Sequence, residues 1–447
     1  MTRRTRIKKL PEGSHSALIE SFTHEGRGLA RIEGRPVFID AALPGERIQF
    51  VYTDVRRDYA EGRVVSIEAA SPDRVMPQCP HFGTCGGCSL QHLAETRQIE
   101  VKQALLMEQL KRLGRLDEPQ AFPPLTGPHW GYRHKARLGV KYVRKRDKLM
   151  VGFRERGSGL VADLESCPVL HPRVGLHLRD LAACIATLDI RERVPQIEVA
   201  VDDEAAVFLI FRVLEEPGVT DLDKLIDLAR RFDFVVYLQR GGPETVVPLY
   251  PKHPERPVYR IPSLGINFRF EPGDFTQVNT AINRAMVDRV LEILDPQAGE
   301  QVLDLFCGIG NFTLPLATRS RQVVGVEGNA TSIERASENA RLNGLGNVSF
   351  HVADLSKPVT GQAWSEQRYD KILLDPSRAG ASEILERVPD WQARRIVYVS
   401  CNPATLARDA DILVHQHQYR LIRAGVMDMF PHTAHVESIA WFERESW

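Results

Sequence analysis

The stretch QVLDLFCGIGNFTLPLA, residues 301–317, decides how this chain is read. A mostly apolar run leads into a turn with two glycines, Gly308 and Gly310, and a helix-forming run follows. That order, strand then glycine turn then helix, is the first crossover of an α/β sheet. Glycine lets the backbone turn tightly and approach a ligand closely. The dinucleotide-binding fingerprint has a third glycine three residues on, and here Thr313 occupies it. A strand–helix alternation continues downstream. Apolar strands are expected at QVVGVE (322–327), VSFHVA (348–353), YDKILLD (369–375) and RIVYVS (395–400), with a helical stretch over 331–343. The expected fold is therefore α/β with a parallel sheet, and its ligands belong beyond the carboxyl ends of the strands.

Those ends carry chemistry. The second strand ends in Glu327, about 20 residues after the glycine turn, where a carboxylate can accept from ribose hydroxyls. The third leads to Asp354, which can accept from an adenine amino group. Helix capping explains either residue alone. In order, they resemble the class I fold of methyltransferases that use S-adenosylmethionine (SAM). Upstream, GDFTQVN (273–279) enters a helix with Gln277 and Asn279.

The fifth strand gives YVSCNPATLARD (398–409), which places Cys401 at a strand end and beside a helix start, where a thiol pKa can fall. A buried cysteine is more often a small packing residue. A SAM enzyme has a use for a thiolate if its acceptor carbon is a poor nucleophile, as C5 of uracil is. Addition of the thiolate to C6 makes C5 carbanion-like, so one hard step becomes two easier ones. A base must then remove the C5 proton. Glu437, in FPHTAHVESIAWF (430–442), stands at the start of an expected last strand, with His435 as second choice.

LDLFCGIGNF, DPSRAG, VSCNP and HTAHVES together resemble the RNA uracil-C5 methyltransferase family across the whole C-terminal region. The resemblance implies Cys401 as nucleophile and Glu437 as base. It implies SAM contacts at Gln277, Phe306, Asn311, Glu327, Asp354 and Asp375. Cys307 and Cys184 read as packing.

Working outward to the N-terminus, residues 14–72 alternate short apolar runs with turn signals at Gly26, Gly28, Gly34, Pro44 and Gly45. About five short strands would close as a small OB-like barrel. GRGLARIEGRPVFIDAALPGERI (26–48) resembles the TRAM domain, an RNA-binding barrel. Residues 73–265 read as a central α+β domain, with a helix over 95–113 and a mainly antiparallel sheet. Residues 266–447 form the catalytic domain.

The chain has seven cysteines and no signal peptide is expected, so metal binding or catalysis is favoured over disulfides. Cys79, Cys85 and Cys88 are spaced C-x5-C-x2-C, and Cys167 follows far downstream. Four soft thiolates suit zinc or a [4Fe–4S] cluster, and spacing does not separate the two. Resemblance to rRNA-directed members of the family implies the [4Fe–4S] cluster. The radical-SAM spacing C-x3-C-x2-C is not met.

The 58 basic and 58 acidic residues cancel, so any nucleic-acid signal lies in distribution. Residues 1–10 carry Arg3, Arg4, Arg6, Lys8 and Lys9 with no acid, and 133–148 carry eight Lys or Arg against Asp147. Tyr132, Arg133, Tyr142 and Phe275 are candidates to stack a displaced base. No apolar run approaches the roughly 20 residues that cross a bilayer. The expectation is a cytoplasmic monomer that methylates a uridine of 23S rRNA. Three alternatives remain: a tRNA uracil-C5 enzyme, an RNA cytosine-C5 enzyme, and a noncatalytic RNA-binding assembly factor.

Overall fold

The computed structural model describes residues 10–23, 25–117 and 119–444. Most of the basic N-terminal run therefore lies outside the described residues. The chain divides into two compact units. The first comprises residues 1–101, 155–158 and 431–435, and the second holds the rest.

In the first unit, β1 (His15–Leu18), β2 (Ser21–Phe22), β3 (Gly28–Ile32), β4 (Arg35–Asp40), β5 (Arg47–Val55) and β6 (Ala60–Ala69) form one sheet, ordered β1-β5-β6-β4-β3-β2. Period-two alternation puts Val37, Ile39, Ile48 and Phe50 on its buried face. Gly62 is required there, because a Cβ would lie 2.6 Å from the Phe50 ring. The fully buried Glu46 accepts from the backbone N–H groups of Leu43 and Ser71 and from Arg74, which fastens the segment after β6 to the sheet.

Helix α1 (Glu95–Arg112) begins in the first unit and ends in the second. In the second unit, a two-residue strand β7 (Gln120–Ala121) precedes β8 (Lys135–Val143) and β9 (Lys148–Gly152). Helices α2 (Pro172–Gly175) and α3 (Leu178–Ala186) lead to β10 (Gln196–Val201) and β11 (Val207–Arg212). Then come α4 (Val219–Phe232), β12 (Phe234–Gln239) and β13 (Val246–Tyr250). The sheet runs β13-β12-β11-β10-β8-β9. It is antiparallel as expected except that β11 and β12 are parallel, with α4 as the connecting helix.

A hairpin, β14 (Val258–Ile261) with β15 (Ile266–Arg269), precedes α5 (Thr280–Leu294). The remaining elements are β16 (Gln301–Leu305), α6 (Thr313–Ala317), β17 (Gln322–Glu327), α7 (Ala330–Leu342), β18 (Val348–Val352), β19 (Lys371–Leu374), α8 (Ser382–Leu385), α9 (Val388–Trp391), β20 (Arg395–Ser400), α10 (Pro403–His415), β21 (Tyr419–Met427) and β22 (Glu437–Arg444). The eight-stranded sheet is ordered β18-β17-β16-β19-β20-β22-β21-β7. Strands β16 to β20 are parallel, and β22 is antiparallel to both β20 and β21. All five residues of β16 and all four of β19 are buried, as in a sheet covered on both faces. Truncating Leu303 to Ala should cost roughly 2–5 kcal/mol. From β16 the chain moves one way to β17 and β18, then crosses to β19 on the other side. The switch point thus lies at the carboxyl ends of β16 and β19, where α/β sheets bind ligands.

Candidate active site

The turn after β16 is set by backbone demands. Phe306 has φ +66°, Gly308 +55° and Gly310 +92°. A bulky residue in the left-handed region is sparsely populated and clusters at functional sites. The strain is offset by the N–H groups of Phe306 and Cys307, which donate to Val326 O at 2.8 and 3.1 Å. Gly310 has no room for a side chain, since a Cβ would stand 2.6 Å from Leu314 Cδ1.

Glu327, at the end of β17, faces this turn. One carboxylate oxygen accepts from Gly308 N at 3.3 Å and the other from Asn329 N at 2.9 Å. Asn329 caps α7. Asp354 is exposed beyond β18, and Lys357 and Ser356 hold it ionised with a pKa of about 2. Asn311 exchanges two 3.0 Å hydrogen bonds with Asn283 and accepts from Tyr259 Oη at 3.1 Å. Its amide thereby ties the glycine turn to α5 and β14.

Gln277 is half-buried in the 271–279 loop, which ends at Asn279, the cap of α5. Two cations pin that loop. Lys135 Nζ donates to Asp274 O, and Arg335 Nε donates to the Asp274 carboxylate at 3.1 Å. Phe275 remains 79% exposed on it. Of the other aromatic candidates, Tyr132 is buried and cannot stack on an incoming base. Tyr142 is covered by the Arg191 guanidinium and bonded to Asp147.

Cys401 directly follows β20, and Asn402 caps α10 by accepting from Ala404 N at 3.1 Å. Glu437 opens β22, paired in register with Met427, and is buried. Asp375 follows β19. Burial pushes the Cys401 thiol up to about 11, and the nearby carboxylates of Glu437 and Asp375 add to this. Arg378 opposes the shift. Burial likewise raises Glu437 to about 8, with Asp375 adding and Arg378 opposing. Asp375 rises to about 7 through burial and the charge of Glu327. The result is a low-dielectric cluster of one thiol and two reluctant acids with one guanidinium beside it. Such perturbed groups mark functional sites.

Two features escaped the sequence reading. Asp304, inside β16, is fully buried and accepts from Thr313 Oγ1, and burial pushes it to about 8. Its signal was an acid within an apolar strand. Lys102 and Asp428 form a buried 2.8 Å ion pair, with His129 Nε2 3.8 Å from the other carboxylate oxygen. The remaining cysteines fit packing: Cys307 is buried with its thiol pushed upward, and Cys184 is raised to about 11 by burial.

His435 belongs to the first unit, whereas Cys401 and Glu437 belong to the second. In the first unit, Cys79, Cys85 and Cys88 share one loop, and Gly87 N donates to Cys85 Sγ at 3.3 Å. Among the described residues, no group of three or more His, Cys, Asp or Glu side chains is gathered closely enough to hold a metal ion.

The family model described as tRNA (Uracil-5-)-methyltransferase matches residues 96–445, and the TRAM domain model matches residues 16–65. A Methylococcus capsulatus protein named 23S rRNA (uracil(1939)-C(5))-methyltransferase is 56% identical over 99% of this chain and 100% of its own length. A protein of the same name from Alkalilimnicola ehrlichii is 52% identical over 99% of both chains. Among solved structures, the Pyrococcus abyssi tRNA (uracil-54, C5)-methyltransferase in complex with S-adenosyl-L-homocysteine superposes with a TM-score of 0.73. It covers 96% of this chain and 100% of its own at 24% identity, a likeness of fold.

Proposed function

The chain belongs to the tRNA (Uracil-5-)-methyltransferase family, and from that premise we propose that it methylates C5 of a uridine in 23S rRNA, position 1939, with SAM as methyl donor. The observation that carries this reading is full-length identity above half to a relative of that name, joined to a thiol, the buried Glu437 and the half-buried Asp375 at neighbouring strand ends. The family model is named for tRNA, but the full-length relatives are named for 23S rRNA.

Cys401 loses its proton to solvent and adds to C6 as the thiolate, and the C5–C6 π pair moves onto C5 and O4. Bound SAM would supply an electrophilic methyl group, which C5 takes as S-adenosylhomocysteine leaves. Glu437 then removes the C5 proton, the S–C6 bond breaks, and the ring regains its double bond. A carboxylate raised to about 8 is a stronger base than an exposed one and lies near working pH, where general bases act best. Gln277, Phe306, Asn311, Glu327, Asp354 and Asp375 form the cofactor cradle in this reading. Glu327 binds the ribose, Asp354 the adenine, and the 306–310 turn lets the backbone approach.

Cys79, Cys85, Cys88 and Cys167 are assigned to a [4Fe–4S] cluster on the family resemblance and on their all-sulfur donor set. When bound, such a cluster would order its loop and present charge to RNA. The 14–72 barrel, the 73–265 middle and the 266–447 catalytic region serve RNA binding, cluster binding and chemistry in turn. No described helix is long and apolar enough to cross a membrane, and a monomer working in the cytoplasm suits the proposed substrate.

The test is methyl transfer from labelled SAM to unmodified 23S rRNA, by wild type and Cys401→Ala, with nucleoside mapping. Wild-type 5-methyluridine at one site, absent with the variant, supports substrate and nucleophile together. Label in cytosine, or preferential label in competing tRNA, overturns the substrate.

A further inference from the structure

The turn after β19, residues 375–381, carries both Asp375 and Arg378. Turns at sheet ends are ordinarily mobile, yet this one is held at three successive points by α10. Asn402 Nδ2 donates to Arg378 O at 3.1 Å. Arg408 Nη2 donates to Ala379 O at 2.9 Å. The Asp409 carboxylate accepts from Ala381 N at 2.7 Å. Asp409 is fully buried, and Tyr398 Oη and the Arg408 guanidinium fill its remaining acceptor sites. Between these anchors Gly380 has φ +84°, and a Cβ there would lie 2.6 Å from the Asp409 carboxylate and against the Arg408 guanidinium. Only glycine lets the turn lie this close to the helix. A buried carboxylate with four donors is a costly way to hold a turn unless its placement matters.

We propose that Asn402, Arg408 and Asp409 form a clamp whose task is to keep the Arg378 guanidinium beside Cys401. This rests on the reading of Cys401 as the nucleophile. Asn402, the residue after Cys401, holds Arg378 O at 3.1 Å and so ties the turn to the thiol's end of β20; the charged groups that act on the thiol are Glu437 from β22 and Asp375 and Arg378 from the turn. Two of these are acids that oppose ionisation, and Arg378 is the cation that favours it. If the turn drifts, the thiol keeps both repulsive neighbours and loses the attractive one. The clamp residues touch neither RNA nor SAM in this reading, so they are positioning residues.

The test uses full-length protein saturated with S-adenosylhomocysteine. Iodoacetamide alkylation of Cys401 is followed across pH by peptide mass spectrometry, because the rate reports the thiolate fraction. Arg378→Gln should slow alkylation near pH 8 by about tenfold, equivalent to a one-unit rise in the thiol midpoint. Arg408→Gln changes a side chain that is 45% exposed, so the fold should tolerate it. Asn402→Ser keeps a good helix cap but removes the donor to Arg378 O. Each should slow alkylation roughly three- to tenfold and leave S-adenosylhomocysteine affinity unchanged. Combining Arg408→Gln with Arg378→Gln should add nothing, as expected when one residue acts only through the other. An unchanged pH profile in both clamp variants overturns the proposal, and so do multiplicative effects in the double variant. Should Arg408→Gln fail to fold, Asn402→Ser decides alone. Wild-type methyl transfer is scored separately, so failure of the clamp leaves the functional reading standing.

Discussion

Replacing Glu437 with Gln should stabilise the protein at alkaline pH while destroying its turnover. Burial moves this carboxyl from an ordinary 4.5 to about 8. At roughly 1.36 kcal/mol per pH unit, that is about 5 kcal/mol set against the charged form. Asp375 contributes to the shift, so the proton belongs partly to the pair, and removing one acid should recover about 2 kcal/mol. Between pH 4.5 and 8 the unfolded chain has released this proton and the folded one retains it. Folding takes up a proton in that window, and stability falls as pH rises through it. Glu437→Gln is isosteric, neutral throughout, and lacks this slope. Urea unfolding near pH 5 and pH 9 measures it: the gap between variant and wild type should widen in the variant's favour at the higher pH. A gap of equal size at both would refute the buried-acid reading. The same variant retains Cys401 but lacks the base. It should therefore accumulate a methylated RNA–protein adduct that survives a denaturing gel, whereas Cys401→Ala forms none.

Three further outcomes follow from the structure. Lys102→Ala takes from the buried Asp428 its 2.8 Å cation and leaves it His129 at 3.8 Å, which should cost about 3–5 kcal/mol; a loss under about 1 kcal/mol in urea unfolding would show that the pair is not desolvated. Lys141, Lys145 and Arg146 are the cations of the 133–148 stretch to neutralise, because Glu192 already engages Arg144 and Asp163 engages Lys148. Their joint substitution should weaken RNA binding and reduce the salt slope by roughly 0.7–0.9 per lost phosphate contact, and an unchanged slope in a filter assay would remove this face from the interface. Protein prepared without oxygen should carry iron and acid-labile sulfide that are lost together in Cys85→Ser, whereas zinc in that preparation would replace the cluster assignment.

The catalytic sheet was legible because two independent codes agree there. Apolar runs of strand length separated by helical stretches gave the parallel order. Polar residues at the run ends gave the crevice, so Glu327, Asp375 and Cys401 stand at or just beyond β17, β19 and β20. What the sequence hid was tertiary. Tyr132 looks like a stacking residue among basic neighbours, and only the packed structure shows it buried. Arg144 looks free until Glu192, 48 residues away, pairs with it. The parallel β11–β12 pair needs the α4 crossover, which period-two alternation cannot reveal. The segment 431–435 sits with the first unit although its neighbours on both sides belong to the second.

The candidate site also gathers the positions where local rules of sequence and structure disagree. Asp304 is an acid inside an apolar strand, Phe306 is a bulky residue with positive φ, and Glu437 is a buried carboxylate at the head of a buried strand. A fold tolerates such conflicts only where the surrounding structure enforces them, and evolution retains them where chemistry gains. Asp304 lies inside β16 and Phe306 just after it, at the switch point, while Glu437 stands at the amino end of β22, which antiparallel pairing sets against the carboxyl end of β20 that Cys401 follows. Burial that raises an acid toward neutral pH costs stability, and it also leaves that acid able to hold and release a proton when the reaction requires it. The alkaline stability of Glu437→Gln and its loss of turnover are thus two readings of the same desolvated carboxyl.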